Sequence, residues 1–242
     1  DNALTADNLS VGGSAYLRNN FISKGTIWLV GTKIDRTLDM DGAVLDGSGD
    51  NALTADDLSV GGSAFLRNNF IAKGTIWLLG AKIDGSLEMD GAVLDGSGDN
   101  ALAADDLSVG GAAFLRNNFN ATGTIQLLGA KIDGTLDMGG SILDGRGKAA
   151  LDASNASIGG DLLLRNRFNT KGELKMLSID VKQDFEIIEA IISFSDLERN
   201  SSAINLQSAR IQGRFVLKDN LFSGPIVFSS LDVGCLADTE SG

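Results

Sequence analysis

The chain has no histidine, one cysteine and one proline, and aromatic residues make up only 6% of its 242 residues. The absence of histidine excludes Ser-His-Asp and Cys-His nucleophilic sites, histidine metal sites and an imidazole base. Cys235 has no second cysteine with which to form an intrachain disulfide or a cysteine-based metal site. No apolar run approaches the roughly 18 residues of a membrane span. The sequence therefore predicts no membrane span, no cofactor and no catalytic residue of these classes.

Acidic residues outnumber basic ones, 32 to 20, so that the formal net charge is −12. An acidic surface disfavours direct contact with nucleic-acid phosphates or anionic lipid, and we predict neither partner. A solvated surface is the simplest explanation of the charge, and mimicry of a polyanion is the alternative. No signal peptide is visible, but the chain begins on a repeat boundary, so secretion is left open. A cytoplasmic location is favoured over the cell surface or the extracellular space.

Internal repetition organises the sequence. Asp1-Asn2-Ala3-Leu4 recurs at Asp50 and again at Asp99, which gives a period of 49 residues. We divide the chain into regular repeats 1–49, 50–98 and 99–147, degenerate repeats 148–200 and 201–236, and a tail 237–242. An insertion of about four residues is expected near Ile191–Ser202. Repeats of this kind form one continuous domain over residues 1–242.

Each repeat divides into two half-units of nearly equal length. Leu4, Leu29 and Leu53 stand at the same position of three successive half-units in this division. Apolar residues alternate in short runs such as Ile76-x-Leu78 and Leu58-x-Val60, separated by Gly, Asn and Asp, which indicates short strands joined by turns. The fold class predicted is all-β: a single-stranded parallel β-helix, or solenoid, of about ten coils of ~24 residues. The general handedness of parallel crossovers makes it right-handed.

Stacked coils place equivalent residues in columns. We predict an inward column containing Leu17, Met40, Leu66, Met89, Leu115, Met138 and Leu164. The glycine pairs Gly12-Gly13, Gly61-Gly62, Gly110-Gly111 and Gly159-Gly160 are predicted to form corners that need positive φ or close backbone approach. The pairs Asn19-Asn20, Asn68-Asn69 and Asn117-Asn118 are predicted to form side-chain amide ladders.

Charged residues repeat with the same period. The column Arg18, Arg67, Arg116 and Arg165 is predicted to alternate with Asp41 and Asp90, and so to fix the register of the coils. The acids that could serve a carbohydrate-cleaving site are Asp35, Asp39, Asp41, Asp84, Glu88, Asp90, Asp133 and Asp137. They repeat with the coil, whereas a catalytic pair is normally a single exception to a repeat. We therefore interpret them as structural.

Two further features are candidate contact sites. Asp46-Gly47-Ser48-Gly49-Asp50 and Asp95-Gly96-Ser97-Gly98-Asp99 resemble calcium-binding turns, and Asp46, Asp50, Asp95 and Asp99 are the candidate ligands. Plain turns are the preferred interpretation, since the third copy carries Arg146 and Lys148 instead. Trp28 and Trp77 lie between inward positions and should point outward, where they could contact a partner chain or a glycan.

The run Leu79–Met89 (LGAKIDGSLEM), together with Val60-Gly61-Gly62-x-x-Phe65-Leu66-Arg67, resembles the repeats of a group of long bacterial proteins. These proteins often carry the label of membrane-associated oxidoreductase. The resemblance covers roughly Asp1–Gly172 and implies a β-helical fold. The chain has no G-x-G-x-x-G motif opening a helix and no cysteine or histidine set for redox chemistry. It is more distantly similar to pentapeptide-repeat proteins and bactofilins, which are also β-helical.

Three functions follow from these features. The first is a non-enzymatic structural or interaction rod, whose partner is itself or another protein at its sheet faces or solenoid ends. The second is an acidic rod that mimics duplex DNA and binds a nucleic-acid enzyme. The third is a carbohydrate-binding or carbohydrate-cleaving β-helix that uses the carboxylates and the two tryptophans. We predict the first, because near-identical repetition leaves no unique polar cluster.

Overall fold

A computed structural model describes residues 2–194 and 202–238. Over these residues the chain forms only β-strands and turns, and every strand pairing is parallel. The strands lie in two sheets that run the length of a solenoid, as the repeat predicts. No helix in this part of the chain has the length and apolar character needed to cross a bilayer.

The first sheet has thirteen strands. These are β1 (Asn2–Thr5), β4 (Ile22–Lys24), β5 (Thr26–Trp28), β8 (Val44–Thr54), β11 (Ile71–Trp77), β14 (Val93–Ala103), β17 (Asn120–Gln126), β20 (Ile142–Asp152), β23 (Asn169–Lys175), β26 (Ile191–Ser193), β27 (Ile204–Asn205), β29 (Leu221–Ser223) and β30 (Ile226–Val227).

The second sheet has eighteen strands, most of them two residues long. These are β2 (Ser10–Val11), β3 (Ala15–Tyr16), β6 (Lys33–Ile34), β7 (Leu38–Asp39), β9 (Ser59–Val60), β10 (Ala64–Phe65), β12 (Lys82–Ile83), β13 (Leu87–Glu88), β15 (Ser108–Val109), β16 (Ala113–Phe114), β18 (Lys131–Ile132), β19 (Leu136–Asp137), β21 (Ser157–Ile158), β22 (Leu162–Leu164), β24 (Asp180–Val181), β25 (Phe185–Ile188), β28 (Arg210–Lys218) and β31 (Asp232–Ala237).

Strand pairing defines the coils. In the first sheet Leu4 pairs with Ile27, and Ile27 pairs with Leu53, so the equivalent residue of the second half-unit is Ile27 and not Leu29. The division of each repeat into two half-units is confirmed, but their lengths differ more than predicted: Leu4 and Ile27 are 23 residues apart, and Ile27 and Leu53 are 26 apart. Shorter and longer coils alternate instead. The longer coils contain the bulge of β8, β14 or β20, strands of 11 residues against 7 in β11 and β17.

The core is a set of inner columns, each formed by residues at one position in successive coils. One column of the first sheet has ten members: Leu4, Ile27, Leu53, Ile76, Leu102, Ile125, Leu151, Leu174, Ile204 and Ile226. The predicted Leu17–Met40–Leu66 column is confirmed, since Met40 and Leu66 are buried and Leu17 packs against the core. A coil cannot bury these side chains alone, so neighbouring coils stabilise one another through them.

Two reasons for glycine at the corners were predicted, close backbone approach and positive φ, and the structure shows them at different residues. An added Cβ at Gly62 would lie 2.7 Å from the carbonyl oxygen of Arg36 in the coil before, so this glycine permits close approach. The positive φ angles lie elsewhere, at Gly42 and Gly91 and at the Asn68-Asn69 pair. Of the two reasons predicted for the Gly-Gly pairs, close backbone approach is confirmed, and positive φ is found at other corners.

The expected insertion falls between β26, which ends at Ser193, and β27, which begins at Ile204. Residues 195–201 of it lie outside the described part of the chain. The last strand ends at Ala237, the first residue of the predicted tail, and residues 239–242 of that tail also lie outside the described part.

Candidate functional sites

The predicted arginine column is confirmed, and it is more heavily paired than the sequence suggested. Arg67 Nε lies 3.0 Å from Asp41 Oδ2 in the coil before, and its NH1 contacts Glu88 in the coil after. Arg116 repeats this arrangement, 3.1 Å from Asp90 and 2.9 Å from Asp137. Each of these two guanidinium groups therefore joins three successive coils.

Sequence reasoning missed the second acid column as a partner of the arginines. It consists of Asp39, Glu88, Asp137 and Glu186, and they pair with Arg18, Arg67, Arg116 and Arg165 respectively. The arginines also stack on the aromatic residue two positions earlier, with Arg67 4.3 Å and Arg116 4.1 Å from the ring centroids of Phe65 and Phe114. The Phe-Leu-Arg spacing was the available signal, because residues two apart on a strand share a face.

Most of the acids that could have served a carbohydrate-cleaving site are held in these pairs. Asp39, Asp41, Glu88, Asp90 and Asp137 are salt-bridged to arginines, and Asp84 lies 3.0 Å from Lys82 Nζ. The remaining two are Asp35 and Asp133. They lie at equivalent corners, where their backbone carbonyl oxygens approach Gly61 and Gly159 of the next coil. The structure thus places these carboxylates in periodic columns and does not gather them into one cleft.

The asparagine pairs do not form the predicted amide ladder. Asn68 donates from Nδ2 to Asp41 Oδ2 at 2.8 Å, because the coils that carry Asn-Asn alternate with coils that carry Asp-Gly or Gly-Gly. Successive asparagine pairs therefore lie two coils apart, or about 10 Å. The space between them is a polar groove of about 550 Å³, lined by Asn68, Asn69, Asp90, Gly91, Asn117 and Asn118.

The loops suspected of binding calcium are engaged by basic side chains. Asp46 lies 3.5 Å from Lys73 Nζ, and Asp95 lies 2.8 Å from Arg146 NH2. Arg146 also donates to the carbonyl oxygens of Gly96 and Gly98, and Lys148 pairs with Asp99. Among the described residues no three acidic side chains come together to hold a metal ion. The third loop instead binds the second through its cations.

Trp28 and Trp77 lie on the outer face of the first sheet, as predicted, and both are partly exposed. Their indole Nε1 atoms donate to Asn2 at 3.0 Å and Asn51 at 2.9 Å. Trp77 lines a groove of about 560 Å³ together with Asp50, Asn51, Thr75, Gly98, Asp99 and Asn100. One repeat further on, Gln126 takes the tryptophan position and bonds to Asn100 and Asp105.

The two ends of the described solenoid expose core positions. At the N-terminal end a cavity of about 290 Å³ is lined by side chains including Leu4, Val11, Leu17, Leu29 and Ile34. Tyr16 and Ile22, which belong to outer columns, are 59% and 64% exposed there. At the other end Leu236 of an inner column is 61% exposed, and Leu221 of an outer column is 64% exposed. Sequence reasoning named the ends as partner sites but could not name these residues.

Comparison of the chain with models of known protein families, with characterised proteins and with solved structures gives no match. The similarity of the repeats to bacterial β-helical proteins stays a prediction.

Proposed function

We propose that this protein is a non-enzymatic structural rod that associates with a second copy or with another protein through the ends or the sheet faces of its solenoid. The observation that carries the proposal is a column of exposed aliphatic side chains on the outer face of the first sheet, in which Val93 and Ile142 lie well away from either end of the described solenoid. Exposed apolar surface of this kind marks a site of contact with another protein.

The outer columns support a structural role. Arginine side chains link successive coils through carboxylates, and the same contacts neutralise much of the acidic surface along that face. A polyanion mimic would present those carboxylates unpaired, so the pairing favours a rod that resists slippage between coils. The aromatic residues on this face are covered by the same guanidinium groups.

The aliphatic column follows the outer face of the first sheet. An outer column of the first sheet carries Ile22, Val44, Ile71 and Val93 in four successive coils and Ile142 further along. Val93 and Ile142 are 39% and 47% exposed. This aliphatic ridge, which Asn120 interrupts between Val93 and Ile142, is a typical contact surface.

The test compares two matched variants, Leu236→Lys at the C-terminal end and Ile142→Lys on the ridge. Both replace an exposed aliphatic side chain, so neither is expected to change the fold. Sedimentation velocity over a range of concentrations should show association of the wild type. Loss in the first variant assigns association to the ends, and loss in the second assigns it to the face. A wild type that stays monomeric at high concentration contradicts the proposal.

A further inference from the structure

The groove beside Trp77 lies between two of the bulges on the outer face of the first sheet. β8 and β14 pair with β11 from opposite sides, and their bulges form the walls of the groove. The coil between them has no bulge, so the gap is about one strand spacing, or 4.8 Å, wide. This gap, the Trp77 groove, has a volume of about 560 Å³ and stacked coils on both sides.

Trp77 is an aromatic side chain that no other ring or cation covers. On the second sheet Phe65 and Phe114 are covered by the arginines two positions later. Among the described residues no aromatic ring or guanidinium group stacks on Trp77, which is partly exposed. Asn51 Oδ1 accepts a hydrogen bond from its Nε1 at 2.9 Å. The indole is therefore held at one edge while its ring stays open to a ligand.

The walls of the groove present a hydrogen-bond donor and an acceptor. Asn51 uses Oδ1 for the indole and keeps its Nδ2 hydrogens, while Asn100 donates from Nδ2 to Gln126 Oε1 at 2.8 Å and keeps Oδ1. Within the described part of the chain no hydrogen bond occupies these two atoms. A sugar hydroxyl both donates and accepts, so one ring can bond to both walls. The carboxylates of Asp50 and Asp99 line the same groove and disfavour an anionic ligand.

The equivalent groove one repeat further on, between β14 and β20, is filled by the chain itself. Gln126 stands at the position of Trp77. Arg146 extends across this second groove to Asp95 Oδ1 at 2.8 Å and to Gly98 O at 3.2 Å. The open gap and the aromatic ring thus occur together in the first groove and are lost together in the second.

We propose that the Trp77 groove binds a neutral saccharide. The C–H face of a pyranose ring packs on the indole, whose π face carries partial negative charge, and its hydroxyl groups bond to Asn51 Nδ2 and Asn100 Oδ1. The volume of the groove lies within the range of small-molecule sites, about 300–1,000 Å³. This site goes beyond the proposed function, because saccharide binding here does not depend on association of the rod.

NMR of ¹⁵N-labelled protein locates the ligand, since the chain has two indole signals. Trp28→Phe removes one signal and so assigns the other to Trp77. The probes are neutral oligosaccharides of glucose, N-acetylglucosamine, mannose and xylose at millimolar concentration. At least one of them should shift the Trp77 signal until it saturates and leave the Trp28 signal in place. Absence of a shift with every one of these probes would overturn the proposal.

Calorimetric titration with the oligosaccharide that shifts the signal tests the residues. Trp77→Gln copies the residue of the second groove, so the fold should be kept while the affinity falls about tenfold or more. Asn51→Ala should weaken binding severalfold, whereas Trp28→Phe, a matched aromatic change outside the groove, should leave it unchanged. Undiminished affinity in Trp77→Gln would overturn the site. A Trp77 signal that responds to tetramethylammonium and to none of the saccharides would overturn the proposal in favour of a cation site.

Discussion

At the scale of single residues, the carboxyl group of Asp105 lies in surroundings that disfavour its ionised form. It accepts a hydrogen bond from Gln126 Nε2 at 2.7 Å on the outer face of the first sheet. Burial raises the pKa of Asp105, and the hydrogen bonds from Gln126 and the Leu128 backbone offset this only in part. The ionised form of Asp105 is therefore less stable in the folded chain than in the unfolded chain.

This raised pKa gives a prediction with a definite sign. Between the ordinary aspartate pKa and the raised one the folded state binds more protons than the unfolded state, so stability falls as the pH rises through that window. Asp105→Asn should raise the melting temperature at pH 7, and the gain should shrink as the pH falls through the raised pKa and vanish below 3.8, the ordinary value. Asp56→Asn, at the same position one repeat earlier, should change stability by less than about 0.5 kcal/mol. A loss of stability in Asp105→Asn at pH 7 would contradict this account.

Asp184 shows the opposite balance. Burial acts to raise its pKa, but hydrogen bonds from the Arg214 side chain and backbone outweigh it, and the pKa of Asp184 lies below its usual range. The stabilisation from this pair is present above the ordinary aspartate pKa and is lost as the pH falls through the depressed value. The two groups differ because Asp184 faces a guanidinium 2.7 Å away, whereas the side-chain partner of Asp105 is an amide.

At the scale of single elements, the arginine column links coils through a group that neighbouring coils share. Arg67 has carboxylates on both sides, whereas among the described residues Arg18 pairs with Asp39 alone. Arg67→Gln should lower the free energy of unfolding by about 1–2 kcal/mol, since it removes two ion pairs and a cation–π contact. Arg18→Gln should cost less than about 1 kcal/mol. Urea unfolding at low and high salt measures both, and equal losses would show that the second carboxylate contributes nothing.

The elements also show what the sequence could predict. The repeat period and the alternation of apolar residues were enough for the fold class, the inner columns and the arginine–aspartate column. The equivalence of Ile27 with Leu4 was missed because Ile27 and Leu29 are both buried and are two residues apart. Either residue therefore fits the alternating apolar pattern. The bulge of β8 adds residues between Asp46, which pairs with Lys24, and Leu53, which pairs with Ile27, and the apolar pattern alone does not show this bulge.

The predicted amide ladder of the asparagine pairs was wrong for a related reason. One repeat covers two coils, so the asparagine pairs recur at every second coil and do not lie on one another. Sequence repetition indicates which positions are equivalent, but neighbouring coils come from different halves of a repeat and carry different residues. The partners of Arg67 and Asn68 are therefore found by aligning the two halves of a repeat, and not by aligning successive repeats.

At the scale of the whole molecule, a solenoid is stabilised coil by coil, and its ends are stabilised from one side only. The middle coils bury aromatic side chains such as Phe70, Phe119 and Phe168 completely. In the last coil Leu236 is 61% exposed and Ile226 and Val233 are only half-buried. Local opening should therefore cost least free energy at the C-terminal coil, where the least apolar surface is buried.

Hydrogen exchange measures this gradient directly. In dilute solution the backbone amides of β31 should exchange first and those of β14 and β17 last, because the latter strands have a paired strand on each side. At concentrations where the chain associates, protection should rise along Val44, Ile71 and Val93 on the sheet face. Protection gained in β2, β3 and β31 alone would place the contact at the ends. Exchange at one uniform rate along the chain would mean that the solenoid opens as a single unit, against the coil-by-coil account of its stability.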